Sequence, residues 1–414
     1  MLHRLFAIAC AAALSACATT APPPIAAAAT TEQRQPVTIL VSIDGFSPDY
    51  LDKGDSPTLD RLAAEGVRAG MRPSFPSKTF PNHYTLVTGL RPDRHGIVGN
   101  NMIDPRRPGE KFSLSNGKQS QDPFWWDEAE PIWVTAEKQG VRTATMFWPG
   151  GDVAIHGTYP SDWTRYYEQF SYAQRVRMIR DWLSRADPAE RPRLLTLYFE
   201  DVDTKGHDFG PGSPEAKVAV RDVDAAIARL LEDARAMRQP LNLIIVSDHG
   251  MARITPPANF IQLDDLLPRD AYALINYGAI VEIEPAPGRT PEVERALLPR
   301  RPGVQCWRKA DMPARYHYGR NPRVPAIVCQ SETGWEVVQG ESGALKDGGD
   351  HGFDPADPAM RALFIANGPA FARGRTLPDF DNIHVYPLLA RVAGVSPLAS
   401  DGDPAVLAGA LMAR

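Results

Sequence analysis

Apolar and polar positions follow two rhythms along this chain. Val37–Ile43 (VTILVSI) is a near-continuous apolar, β-branched run of strand length, the pattern of a strand covered on both faces in a parallel sheet. Arg142–Trp148, Arg193–Phe199, Leu241–Ser247 and Ala362–Ala366 repeat that signature. Between them lie segments with helical spacing: Pro57–Glu65, opened by Ser56 as N-cap and stopped by Gly66, then Tyr172–Arg185, Pro214–Arg235 and His384–Ala393. Strands alternating with helices predict an α/β fold with a mostly parallel central sheet flanked by helices on both faces. There is no internal repeat.

The rhythm breaks between Thr255 and Leu345. This stretch is rich in Pro and Arg, with Pro302, Pro313, Pro322 and Pro325 crowding its second half. Its candidate strands, Ala273–Ile283 and Val324–Gln330, have no long helix between them. It is expected to be a small cap subdomain, 255–345, inserted into a core whose first part is 37–254 and whose second part is 346–414. Cys306 and Cys329 both fall in the cap, either as a disulfide stapling a subdomain with little core of its own or as two buried thiols.

Residues 1–36 have the pattern of an address rather than of fold. His3 and Arg4 precede an apolar stretch, Leu5–Leu14, of signal-peptide length and too short to span a bilayer. Leu14-Ser15-Ala16-Cys17 then resembles a bacterial lipobox, in which Cys17 becomes the lipidated N-terminus and Ala18–Gln35 a flexible tether. An ordinary cleaved signal is the alternative. Either way the expectation is an exported bacterial protein, in the periplasm or anchored at the outer membrane, touching a membrane only through that lipid. An oxidising compartment favours the Cys306–Cys329 bond.

Composition narrows the function classes. With 414 residues, 43% hydrophobic and 23% charged, the chain fills a globular core. A formal net charge of -5 gives no electrostatic basis for gripping a nucleic-acid duplex. Pro 39 and Gly 32 imply long, shaped loops.

The candidate chemistry lies in five polar segments, four of which follow strands, where ligands bind in parallel α/β sheets, while the fifth follows the cap. These are Ser42-Ile43-Asp44-Gly45-Phe46; Lys78-Thr79-Phe80-Pro81-Asn82-His83-Tyr84; Asp203-Thr204-Lys205-Gly206-His207; Ser247-Asp248-His249-Gly250; and Gly349-Asp350-His351-Gly352-Phe353. Taken singly, each has a bland reading, Asp44 as a helix cap or Asp248-His249 as a turn. Together, three Asp and three His supply ligands of the kind zinc takes. Asp203 and His207, four apart in a Gly-containing loop, suit one metal.

These segments resemble the nucleotide pyrophosphatase/phosphodiesterase family of the alkaline phosphatase superfamily. The resemblance runs in family order from Val37 onward and includes Thr88-Gly89, His95-Gly96-Ile97-Val98-Gly99-Asn100-Asn101-Met102 and the Asn382–Leu388 helix start. It implies an alkaline-phosphatase-like fold and two zinc ions per chain. Asp44, Thr79, Asp248 and His249 would hold one ion, and Asp203, His207 and His351 the other. Thr79 would be the nucleophile and Asn100 a donor to a phosphate oxygen; only the family pattern selects Asn100 over Asn101. Phe80, with Tyr198 and with Tyr166 or Trp163, would bind the nucleotide base, and the same aromatics have a packing reading. His83 is expected to support the site without ligating metal, and His95, His156, His317 and His384 to be structural or on the surface.

The expected substrates are nucleotides or other small phosphodiesters, with ATP giving AMP and pyrophosphate through a phospho-threonine, in a chain acting as a monomer. A phosphomonoesterase would add cationic groups. Lys78, Arg165 and Lys205 lie near the motifs, but no family-matching Lys-x-Arg pair occurs in Tyr159–Tyr167. Choline-phospholipid head groups form a third substrate class, and a non-catalytic metal-dependent binding protein is the alternative of another kind. A sulfatase-type Cys-x-Pro-x-Arg string is absent.

Overall fold

The run Val37–Ile43 is strand β1, and all seven of its residues are buried, because helices cover both faces of its sheet. The computed structural model of the chain describes residues 32–255, 259–340 and 347–413. Leu5–Leu14, Cys17 and most of the proposed tether lie outside the described residues. Gln35–Arg414 make one compact unit.

Along the chain β1 is followed by β2 (Val67–Arg72), β3 (Thr143–Met146), β4 (Asp162–Thr164), β5 (Leu194–Phe199) and β6 (Leu241–Val246). β7 (Ala252–Ile254) leads into the insertion, which holds β8 (Tyr272–Asn276), β9 (Ile280–Pro285), β10 (Val304–Arg308) and β11 (Ile327–Ser331). β12 (Gly348–Asp350) leads back to β13 (Ala362–Asn367). The central nine-stranded sheet runs Arg375–Thr376, β2, β13, β6, β1, β5, β3, β4 in space, with Phe380–Asp381 also on β2. β1 is parallel to β5 and β6, and β3 to β4 and β5. β13 is the exception, antiparallel to both β6 and β2. β2 and β4 escape the apolar pattern, because VRAGMR carries two Arg and a Gly and β4 has three residues.

The longer helices are α1 (Pro57–Glu65), α2 (Thr79–Thr88), α3 (Ile132–Lys138), α4 (Tyr172–Leu183), α5 (Asp201–Phe209), α6 (Pro214–Ala236), α7 (Thr290–Leu297) and α8 (Val385–Ala393). α1, α4 and α6 pack on one face with Ile39, Val41, Leu197 and Ile245. α2, α3 and α8 pack on the other with Leu40, Ile244, Val246 and Phe364. Ser56 does hold the N-cap position of α1, but its side chain makes no cap bond. The first-turn amides of Thr58 and Leu59 donate instead to Asp224 of α6, at 3.1 and 2.8 Å. That carboxylate meets the orphan donors and the positive helix end together.

In the insertion, β8, β9, β11 and β10 form an antiparallel sheet in that order. The single strand expected over Ala273–Ile283 is two, β8 and β9, turned around Gly278 at φ +95°, a conformation that favours glycine. The insertion also has more core than its Pro-rich sequence suggests. α7 covers the sheet, and Val281, Ile283, Val293, Leu297, Val304 and Ile327 are buried together. Cys306 and Cys329 are bonded across directly opposed positions of β10 and β11. Replacing both with alanine is expected to lower the unfolding free energy by about 2–4 kcal/mol. Chemical denaturation of the oxidised protein measures this, and an unchanged midpoint would mean that the sheet alone holds the insertion. β7 and β12 pair antiparallel at its base, which brings the chain back beside the carboxyl end of β6.

Candidate active site

The parallel core strands deliver the candidate residues to one edge. Asp44 follows β1, and Asp248 with His249 follows the adjacent β6. Asp203 and His207 follow β5 on the other side of β1, and His351 follows β12. Thr79 is the first residue of α2. One local expectation fails: Asp203 and His207 sit on a helix, α5, and not in a loop. Gly206 serves close approach rather than a turn. A Cβ there would meet the Met251 side chain at 3.0 Å, and one on Gly349 would meet the Gly206 carbonyl at 2.7 Å. Gly206 lets α5 approach Met251 and Gly349 lets β12 lie against α5, and His207 and His351 stand with ring centroids 5.0 Å apart.

The ligand-bearing atoms converge. His249 Nε2 is 2.9 Å from Asp248 Oδ2 and 3.5 Å from Asp44 Oδ1. The Thr79 hydroxyl lies 3.4 Å from the same Nε2. Asp203 stands between the groups, 3.5 Å from His207 Nε2 through one oxygen and 3.7 Å from His351 Nε2 through the other. Asp203, His207 and His351 can hold a metal ion together, and so can Asp44, Asp203 and His249.

Two observations test whether cations fit here. Asp44 Oδ1, Asp203 Oδ1 and Asp248 Oδ2 are buried and make no hydrogen bond, an arrangement that is costly for bare carboxylates. Burial and then the mutual repulsion with Asp248 and Asp203 raise the Asp44 carboxyl well above its usual range. Burial likewise raises Asp203, against the pull of His207 and His249. Divalent ions would relieve both costs.

The histidines are tautomerically prepared. His207 Nδ1 donates to Gly349 O at 2.8 Å, His249 Nδ1 to Gly250 O at 2.9 Å, and His351 Nδ1 to Ser77 O at 2.8 Å. Each Nε2 lone pair is therefore left for a metal. His83 also lies within ligand range of Asp44 and Asp248, but both its nitrogens are engaged, Nδ1 with Thr79 O and Nε2 with the Ser42 hydroxyl. It buttresses Thr79 and leaves ligation to others. His95 is buried against Thr85 and Pro81 O, a structural role.

This edge opens into a cavity of about 660 Å³ lined by Asp44, Thr79, Phe80, Asn100, Tyr198 and His351 among others. Asn100 accepts from the Phe80 amide through Oδ1 at 2.9 Å, so its Nδ2 remains to donate. Asn101 is committed elsewhere, to Asn276 of the insertion. Phe80 meets Phe112 and Trp126 edge-on or tilted, with centroids 5.9 Å apart in both pairs. Tyr166 is about half exposed on the cavity wall. Tyr198 lines the cavity too, but its hydroxyl donates to Asp44 Oδ2 at 2.6 Å, which makes it a support for that carboxylate as well as a wall. Trp163 stacks on Tyr159 and is not part of the lining.

Sequence reasoning missed Trp148, Asp152 and Glu200, which also line the cavity. The run Trp148-Pro149-Gly150-Gly151-Asp152 follows a strand as the chosen motifs do, and that habit was the available signal. Glu200 is held by the buried Arg175, whose two terminal nitrogens each reach a carboxylate oxygen at 2.5 Å.

A family model described as type I phosphodiesterase / nucleotide pyrophosphatase matches residues 38–354. Human ectonucleotide pyrophosphatase/phosphodiesterase family member 5 is 36% identical over 372 residues, covering 89% of this chain and 76% of that protein. Bovine (Bos taurus) bis(5'-adenosyl)-triphosphatase ENPP4 is 37% identical over 372 residues, covering 89% and 80%. Among solved structures, human family member 5 superposes with a TM-score of 0.86 at 36% identity, covering 91% of this chain and 100% of that one. An inactive threonine-to-alanine variant of murine family member 5 in complex with AMP gives a TM-score of 0.86 at 35% identity with the same coverage.

Proposed function

The chain belongs to the type I phosphodiesterase / nucleotide pyrophosphatase family of hydrolases, and from that premise we propose that it cleaves phosphodiester and pyrophosphate bonds of nucleotides through a phospho-threonine at Thr79. The observation that carries this reading is the place of the Thr79 hydroxyl, at the N-terminus of α2, 3.4 Å from His249 Nε2 and on the wall of the cavity. A helix N-terminus favours a bound phosphate. The AMP complex of the murine relative and the name of the bovine one support a nucleotide as substrate.

Two zinc ions are proposed, one held by Asp44, Thr79, Asp248 and His249 and one by Asp203, His207 and His351. When bound, they supply charge stabilisation at the attacking and leaving oxygens of an in-line displacement. Thr79 Oγ1 gives up its proton to solvent and forms the bond to phosphorus as the bond to the leaving oxygen breaks, so ATP loses pyrophosphate. Asn100 Nδ2 donates to a non-bridging oxygen as its charge grows. Water then attacks phosphorus, the Thr79–phosphorus bond breaks, and AMP leaves while the threonine oxygen regains a proton.

A diester preference is supported by how the nearby cations are used. Lys78 Nζ is bound to Asp350 at 3.1 Å and to His351 O at 2.5 Å. Of Lys78, Arg165 and Lys205, only Arg165 lines the cavity. A 5'-AMP nitrophenyl ester is therefore expected to show a much higher kcat/KM than nitrophenyl phosphate, and a preference for the monoester would hand the site to a phosphatase. Phe80→Ala is expected to cost about 1–3 kcal/mol on that nucleotide ester and less on a small diester without a base. Equal losses would make Phe80 a packing residue only.

Export as a lipoprotein anchored at Cys17, and action as a monomer, complete the proposal. The apolar Leu5–Leu14 run and the Leu14–Cys17 string support the anchor. Mass analysis of the mature N-terminus checks it, with an unmodified N-terminus other than Cys17 as the opposing result.

A further inference from the structure

The loop that carries Asn100 is gripped by the insertion at several points. Arg323 is fully buried; it donates to Gly96 O at 2.8 Å and to the Asp104 carboxylate at 2.8 Å, on either side of the loop. Between them a second set of contacts closes on the loop itself. Tyr318 Oη is 2.8 Å from Val98 O and 2.6 Å from Glu282 Oε1. Asn276 Nδ2 donates to Asn101 O at 2.9 Å and to Glu282 Oε2 at 2.5 Å, while Asn101 Nδ2 donates to Asn276 Oδ1 at 3.0 Å. Arg323, Tyr318, Glu282 and Asn276 belong to the insertion, Asp104 and Asn101 to the segment they grip, and none of the six lines the cavity.

We propose that Glu282, Tyr318 and Asn276 are positioning residues for catalysis, holding the Val98–Asn101 loop so that Asn100 points its amide at the phosphate. The inference rests on the reading of Asn100 as a phosphate donor.

The proton inventory of the cluster makes it sensitive to the state of Glu282. Tyr318 has one hydroxyl proton and two acceptors, Val98 O and Glu282 Oε1. When Glu282 is protonated it donates to Tyr318 Oη, Tyr318 donates to Val98 O, and every group is satisfied. When Glu282 is ionised it claims the tyrosine proton, and Val98 O is released. Burial raises the Glu282 carboxyl to about 7, opposed by the bonds from Tyr318 and Asn276. Tyr318 comes from the chain after α7, Asn276 from β8, and Gly99 from the loop approaches Oε2 with backbone only. Asp93 is the charged group next beyond, acting on Tyr318.

The test is steady-state kinetics of the metal-loaded full-length protein on the 5'-AMP nitrophenyl ester. Tyr318→Phe is expected to lower kcat on the order of tenfold to a hundredfold with little change in KM. In an Asn100→Ala background the same substitution is expected to cost nothing further, because both act through one donor. The same loss in both backgrounds would overturn the inference and leave Tyr318 a structural residue. Asn100→Ala with full activity would instead remove the reading of Asn100 itself, so the two failures are distinct. Glu282→Gln keeps a donor to Tyr318 at every pH. The ratio of wild-type to Glu282→Gln kcat is therefore expected to fall as pH rises through about 7, and a ratio constant from about pH 6 to 9 would also overturn the inference. This arm stands even if Tyr318→Phe does not fold.

Discussion

Thr79→Ala is expected to lower kcat on a nucleotide diester by roughly four to six orders of magnitude while leaving the fold and the bound metal largely intact. The loss is large because no second hydroxyl is proposed to attack phosphorus, and positioning without a nucleophile leaves only modest catalysis. The fold should survive because the Thr79 side chain makes one long contact, 3.4 Å to His249. The bond from His83 Nδ1, one turn on in α2, uses the Thr79 backbone carbonyl, which alanine retains. Single-turnover kinetics, circular dichroism and elemental analysis on the same preparation measure the three terms. A substantial fraction of wild-type rate would rule out the covalent step. A collapse of metal content alongside the rate would make Thr79 mainly a ligand.

Asp203→Ala should have the next largest effect, because Asp203 is a proposed ligand of one ion and also stands within ligand range of Asp44 and His249 beside the other. Activity is expected to fall by about a thousandfold or more, since charge stabilisation by metals is worth several kcal/mol. Metal content should drop from two ions per chain to at most one. Stability should change sign with conditions. In zinc the variant should melt below the wild type, which gains free energy by binding the ion only when folded. In a chelator the order should reverse. Folding raises the Asp203 pKa through burial, so above its unfolded value the carboxyl loses stability as pH rises through the folded one, and near pH 7 it is a liability once no cation is present. Removing it also lightens the repulsion on Asp44. Thermal melts in zinc and in chelator check this, and the same order in both would mean that these carboxylates are not held as a cation site.

Much of this arrangement was legible in the sequence, and the parts that were not have identifiable causes. The strands β1, β5, β6 and β13 announce themselves because residues covered on both faces must be apolar in a row. β2 and β4 lack that run, and the antiparallel direction of β13 leaves no mark on composition. Asp44, Asp248 and His249 were recognisable as polar residues at strand ends, and His351 in a polar segment just after the cap. Asp203 and His207 were recognisable as a pair but not as helical, because the glycine between them marks a close approach to Met251 inside α5 and not a loop. The exclusion of His83 as a ligand rested on its position. The structure adds the reason, which is that Ser42 and Thr79 O occupy both ring nitrogens. The choice of Asn100 over Asn101 came from the family pattern alone; in the structure Asn100 lines the cavity and accepts from the Phe80 amide, whereas Asn101 turns to Asn276 of the insertion.

The chemistry of ATP cleavage tests the central claim most directly. Metal-loaded protein is incubated with ATP and the products are separated by anion exchange. The expected result is AMP and pyrophosphate in equal amounts, abolished by Thr79→Ala. ADP and inorganic phosphate as the first products would contradict it.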